Sequence, residues 1–269
     1  MNVDKEQAIM EKEHLSWTSI SMAMRCGEQY RRRYVLNERR PPGIAMIVGS
    51  SVHGSVESNM TSVVDVGEPI ERDAAAEIAR DLVDDRLTRD GVMLKADEME
   101  RGFDVVKGEA KDKSVNLSLV HYDKAAPTIK PIMVERKWRI ESDDFDYDLV
   151  GRIDIEEKGG IRETKTSGKS PNQNMVDSMD QMTMYAIAFQ VLNGTWPESL
   201  SLDYLVALKT KTEYKPMTTV RTEANATALF RRIKTVQRAI TSGSFVPADR
   251  GWWGCDPRYC GYYADCPYV

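Results

Sequence analysis

Long apolar runs are missing from this chain of 269 residues; none approaches 18, so no segment reads as a membrane span. The opening Met-Asn-Val-Asp-Lys-Glu-Gln lacks the basic-then-apolar order of an export signal, which points to a cytoplasmic location. Internal repeats and low-complexity tracts are absent, so neither a repeat array nor a long linker is expected. Excess positive charge is absent as well. Lys and Arg number 37 against 42 Asp and Glu, a net of −5, the wrong sign for a protein that simply coats DNA. Phosphate contact would then need local basic clusters. Two are visible: Arg25, Arg31, Arg32, Arg33, Arg39 and Arg40, and on a predicted helix Arg231, Arg232, Lys234 and Arg238. The second reads equally well as a solvated helix face, the first less so.

What is present suffices for a real interior, since 41% of residues are hydrophobic. The pattern predicts one domain over 1–269: a mainly helical part over 1–125, a core over 126–250 and a tail over 251–269. Helices are expected over Thr18–Leu36 (N-cap Thr18 or Ser19), Gly49–Thr61, Glu71–Arg89 and Asp97–Tyr122. Pro127–Pro131 marks the shift to a meander of strands, Ile132–Ile140, Asp148–Glu156 and Gly160–Thr166. Lys158-Gly159-Gly160 is the turn of the last pair. A helix over Asn174–Leu192, a strand over Leu200–Leu208, a short edge strand over Thr218–Arg221 and a helix over Glu223–Ser242 complete an α/β chain.

Chemistry concentrates between Gly151 and Lys165, where Gly-Arg-Ile-Asp154 is followed on the next strand by Glu163-Thr-Lys165. Two strand-borne carboxylates brought together are costly unless a cation lies between them, and oxygen ligands suit Mg²⁺ or Mn²⁺. Lys165 shares the strand face of Glu163 because side chains alternate. Such a trio suits hydrolysis of a phosphodiester. Two motifs are decoys. Thr166-Ser-Gly168-Lys169-Ser170 looks like the end of a P-loop, but Glu163 stands where the first glycine of G-x4-G-K-S belongs. His53-x3-Glu57 lacks the second histidine at i+4 that a zinc hydrolase needs, and Glu57 reads as a helix-surface or supporting group.

Three of the four cysteines, Cys255, Cys260 and Cys266, fall in a tail rich in Gly, Pro and aromatics; the fourth is Cys26. Joining them would pin that tail to the first helix. Disulfides, zinc and four ordinary buried thiols all fit the residues. A reducing compartment disfavours the first, and an x4 spacing lies at the limit for zinc.

Four motifs in order, Gly49-x3-His53-x3-Glu57, Gly-Arg-Ile-Asp154, Glu163-Thr-Lys165 and Gln181-x3-Tyr185, resemble the PD-(D/E)xK nuclease superfamily and within it the RecB-like exonucleases. The matches extend from about Ser16 to the C-terminus. The resemblance implies a restriction-endonuclease-like core, a mixed β-sheet flanked by helices, with a helical N-terminal elaboration and a cysteine-rich C-terminal segment. It implies a metal-dependent DNA exonuclease acting on single strands or ends, in recombination, repair, CRISPR adaptation or phage DNA processing. Asp154 and Glu163 would be catalytic carboxylates and metal ligands, with the Thr164 carbonyl and His53 as further ligands. Lys165 would hold or help deprotonate the attacking water. Gln181 and Tyr185 would touch DNA or brace Lys165, and Glu135 would support the metal or its water.

In AddB-type subunits and CRISPR-associated RecB-like exonucleases, one early cysteine and three late ones hold a [4Fe–4S] cluster after an entry like Ser16-Trp-Thr18. The resemblance therefore implies such a cluster on Cys26, Cys255, Cys260 and Cys266, with zinc as the alternative. Two departures stand out: Gly27 follows Cys26 where many relatives have proline, and the first late spacing is x4 rather than x2. Several of Trp252, Trp253, Tyr259, Tyr262 and Tyr263 are expected to shield the cluster; stacking on unpaired bases is their other use. No helicase motif accompanies the chain, so unwinding would fall to a partner: a helicase, a recombinase or a CRISPR adaptation protein. An oligomer is compatible with the sequence. Two other readings stay open, an iron–sulfur DNA-binding accessory subunit and a metal-dependent endonuclease.

Overall fold

The computed structural model describes residues 13–269, so the first twelve residues of the expected domain lie outside it. Alternating apolar side chains build a six-stranded mixed sheet. Its strands are β1 (His14–Ser16), β2 (Pro131–Ile140), β3 (Asp148–Glu157), β4 (Gly160–Ser167), β5 (Ser199–Ala207) and β6 (Thr212–Thr219). β2 and β4 run antiparallel to β3, β5 runs parallel to β4, and β6 closes the edge antiparallel to β5. β1 pairs parallel with β3. Only three residues long, it carries no periodicity that a sequence could show.

β3 shares one edge between two partners. Residues 148–150 pair with β1 and residues 155–157 with β4. Residues 151–154 therefore face a split in the sheet, and Asp154 lies at its lip.

Helices cover both faces: α1 (Trp17–Arg25), α2 (Gly27–Tyr30), α3 (Ile44–Val66), α4 (Arg72–Asp90), α5 (Ala96–Arg101), α6 (Phe103–Val120), α7 (Gln173–Asp177), α8 (Asp180–Asn193) and α9 (Glu223–Thr241). On one face Ile153, Ile161, Leu200 and Leu202 pack with Met182, Ala186 and Phe189 of α8 and with Leu229 and Ile233 of α9. On the other, Ile155 and Leu205 meet Val48, Val52 and Val56 of α3 and Leu117 of α6. Each such Leu, Ile or Val contributes roughly 1.5–3 kcal/mol by leaving water, which clamps α3 and α8 over the split from opposite sides. Among the described residues, no helix is long and apolar enough to cross a membrane.

Three expected helices are interrupted, each by a residue whose backbone leaves the helix. The Thr18–Leu36 helix breaks at Cys26 (φ −158°, ψ 105°), and its N-cap is Ser16 rather than Thr18 or Ser19. Asp97–Tyr122 breaks at Gly102, where φ is 86°. Asn174–Leu192 breaks at Met179, with ψ 104°. The expected edge strand Thr218–Arg221 is the end of the longer β6, whose Pro216 masks its start and is tolerated at an edge.

Candidate active site

α3 crosses the split and places His53 Nδ1 3.2 Å from Asp154 Oδ2. The Thr164 backbone N–H donates to the same oxygen at 3.2 Å, tying the two lips together. From β4, the Lys165 ammonium donates to Glu163 Oε1 and, at 2.8 Å, to Gln181 Oε1. Gln181 Nε2 in turn donates to Glu163 Oε1 at 3.1 Å and to the Tyr185 hydroxyl at 2.9 Å. Four-residue spacing on α8 puts Gln181 and Tyr185 on one face, and Tyr185 is buried. Gln181 thus braces the Lys165 ammonium, and Tyr185 braces Gln181. Behind the site Asp203, fully buried, accepts two bonds of 2.9 Å from Arg162 and one of 2.7 Å from Tyr214, locking β4 to β5 and β6. Gly151 has a packing reason: a Cβ there would lie 2.3 Å from the Trp138 ring.

Negative charge gathered out of water sets the electrostatics. Burial and the Asp154 charge hold the Glu163 carboxyl above its usual range, although Lys165 and His53 pull it down. Burial acts the same way on Asp154, but the His53 hydrogen bond and charge, the Thr164 N–H and Lys165 outweigh it and leave that pKa lowered. Burial opposes protonation of His53, yet the hydrogen bond and charge of Asp154, with Glu163, bring its pKa above the ordinary value. The two carboxyls are thus pushed apart, a pattern of sites built for chemistry.

Glu135 stands opposite Asp154 across the β2–β3 ladder, between the pairs Val134↔Ile155 and Arg136↔Ile153. Its φ of 54° is a left-handed backbone that costs a non-glycine residue about 1–2 kcal/mol. Burial and the Asp154 charge raise its pKa to about 7, against an ion pair with Arg152. With His53, Asp154 and Glu57 it lines a small cavity. Glu57, read from the sequence as a helix-surface or supporting group, lines this cavity with them.

Among the described residues, no group of three or more His, Cys, Asp or Glu side chains is drawn into metal-site geometry. The donor set nonetheless fits a hard divalent ion. Glu163 Oε2 is buried without a hydrogen-bond partner. Its other oxygen already holds a cation, the Lys165 ammonium.

The four cysteines are free thiols, and all four line one small cavity. Burial first, then the nearby Cys260, Cys26 and Cys266, push the Cys255 thiol up. The Ala248 N–H points at Cys26 Sγ over 3.4 Å, and Gln29 Nε2 at Cys260 Sγ over 3.2 Å. Gly27 has its explanation here. Its N–H donates to the Val246 carbonyl at 2.7 Å, and a Cβ would lie 2.6 Å from the Val246 nitrogen. Proline offers no N–H and carries that Cβ, so glycine lets the lead-in to the tail pass close.

Half of the Arg25–Arg40 cluster is engaged in this clasp. Arg31 and Arg32 pair with Glu28, Arg32 and Arg40 pair with Asp265, and both of the latter lie over the Tyr262 ring. In the second cluster Arg232 pairs with Asp180 and Lys234 with Asp144, as a solvated helix face would.

A family model for the PD-(D/E)XK nuclease superfamily matches residues 14–267. Among solved structures, the Eubacterium rectale protein named "Putative exonuclease" shares the fold. It aligns over 95% of this chain and 92% of its own, with a TM-score of 0.56 and 12% identity. The structure of SSO0001 aligns over 97% and 89% at a TM-score of 0.42 and 14% identity, too distant to argue from. No curated protein matches the chain.

Proposed function

This chain belongs to the PD-(D/E)XK nuclease superfamily, and on that premise we propose that it is a divalent-metal-dependent DNA exonuclease acting on single strands or ends. The observation that carries the reading is the meeting of His53, Asp154, Glu163 and Lys165 at the split between β3 and β4. Asp154, Glu163, the Thr164 carbonyl and His53 would hold Mg²⁺ or Mn²⁺. That ion supplies Lewis acidity, making water a better nucleophile and neutralising charge on the scissile phosphate.

The remaining work falls to side chains. Lys165 would hold the attacking water and complement the charge of a hydroxide. Gln181 fixes the Lys165 ammonium, and buried Tyr185 fixes Gln181. The Thr164 N–H and His53 orient Asp154 and keep it ionised. Glu135 would orient water beside Asp154.

Cys26, Cys255, Cys260 and Cys266 fit a [4Fe–4S] cluster, with zinc the alternative; four free thiols around one cavity, with N–H donors aimed at two sulfurs, support a thiolate-held group. When bound it would supply a covalent clasp for a tail with little core of its own. The setting would be recombination, repair, CRISPR adaptation or phage DNA processing, beside a partner that unwinds DNA.

End-labelled single- and double-stranded DNA and covalently closed circles, incubated with Mn²⁺ and with EDTA, test this reading. Metal-dependent shortening from an end, with circles intact, is expected. Binding with no cleavage under any metal would favour an accessory subunit, and cut circles an endonuclease. Anaerobically purified protein should be brown with broad visible absorption; a colourless protein with stoichiometric zinc would overturn the cluster.

A further inference from the structure

We propose that the outer face of the cysteine tail is a platform for single-stranded DNA, where bases stack on Trp253 beside Tyr259 and phosphates meet Lys169 and Arg250. This rests on the nuclease reading and gives it a substrate path. The tail has two faces. Trp252, Tyr262, Tyr263 and Tyr268 line the thiol cavity, whereas Trp253 and Tyr259 do not. Trp253 is 66% exposed and Tyr259 49%, a high price in bare aromatic surface for residues with no core to fill. Their rings meet edge-to-face at 5.3 Å, which fixes the indole in place.

Around them lies an open groove of about 730 Å³, lined also by Lys169, Arg250 and Arg258. Its one tail carboxylate of note, Asp256, is matched by Arg258 through two bonds of 2.8 Å. Arg258 and Lys95 lie 5.5 and 5.4 Å from the Tyr259 ring centre, so that ring already has cations beside it. Lys169 and Arg250 form no ion pair with a described residue, although the Arg250 charge also reaches the Cys255 thiol, and both are placed to meet an anion.

Exposed aromatic and free cation together match unpaired nucleic acid. A duplex hides its base faces, and a single strand offers them with a phosphate at every step. The groove also joins the catalytic strand. Lys169 follows Lys165 by four residues, at most about 14 Å of chain. Ser167 Oγ braces that step, donating to the Lys169 carbonyl at 2.7 Å and accepting its N–H at 3.1 Å. A strand lying on Trp253 would thus have its next few nucleotides near the carboxylates.

Fluorescence anisotropy in EDTA, with fluorescein-labelled oligothymidylate and with a blunt hairpin duplex, tests the platform. Trp253→Ala should weaken oligothymidylate binding about tenfold and leave the duplex unchanged, with Trp253→Phe recovering most of the loss. Lys169→Ala and Arg250→Ala should each lower the salt slope for the single strand by about 0.7. Lys169 lies outside the tail, so its variant keeps the test valid if Trp253→Ala disturbs the clasp. Single-strand affinity within twofold of wild type in the Trp253 and Lys169 variants would overturn the platform, as would equal losses on both DNAs. A wild type that cuts end-labelled single strands but ignores Trp253 removes this inference alone. One that needs Trp253 to bind yet never cuts removes the nuclease reading and leaves the platform.

Discussion

The carboxylate site and the thiol cavity are each gathered from distant parts of the chain, but they are held by different forces. The first sits between a sheet and two helices, with apolar cores on both sides and a hydrogen-bond chain from Tyr185 through Gln181 to Lys165 and Glu163. The second is closed by turns, by Arg32 and Arg40 on Asp265, and by one backbone bond from Gly27 to Val246. Packing and this hydrogen-bond chain hold the carboxylate site in place on their own. In the tail, ion pairs and ring contacts from Arg32 and Arg40, and the Tyr262 hydroxyl on the Glu38 carbonyl, stand where the catalytic half has a packed core, so a bound group there would act on stability where one at the carboxylates would act on rate.

That contrast breaks if the two sites respond alike to loss of a donor. Lys165→Ala should cost cleavage on the order of 10²- to 10³-fold, the scale of removing one preorganised donor to the developing charge, and leave thermal stability nearly unchanged. Cys266→Ser should do the opposite. It should lower stability by on the order of 3 kcal/mol, about 10 °C in the thermal midpoint, and open the tail to trypsin after Arg250 and Arg258. A Cys266→Ser protein as protease-resistant as wild type would show that the tail holds itself.

Acid sharpens the contrast from the other side. His121, 1% exposed behind α3, is held by burial at a pKa of about 4 against its usual 6.5, only partly opposed by Asp203. Between those values the unfolded chain binds the extra proton, so stability rises with pH there and is lost as pH falls from 6.5 toward 4. The loss amounts to roughly 3 kcal/mol at the acid end. His121→Phe should flatten that part of the profile in chemical unfolding measured at stepped pH. An unchanged slope would mean that other groups carry it.

Local periodicity made much of the candidate site's geometry legible. Two-residue alternation joined Glu163 to Lys165, and four-residue spacing joined Gln181 to Tyr185 and His53 to Glu57. What stayed hidden depends on partners far along the chain. β1 is recognisable only because β3 offers it an edge, and that pairing creates the split that Asp154 occupies. Cys26 sits in a stretch that reads as continuous helix, and its extended backbone accompanies the close passage of Val246 beside Gly27. The left-handed Glu135 has no local sequence signal, since glycine is the residue expected there. The arginines near Arg32 show the same limit: a basic run in sequence says nothing of Asp265, more than 200 residues later.

Mn²⁺ affinity, followed by electron paramagnetic resonance in the wild type, Asp154→Asn and Glu163→Gln at one pH, tests the shared ion most directly. Binding by the wild type and a loss of at least about tenfold in each variant are expected. Equal affinity in all three proteins would contradict it.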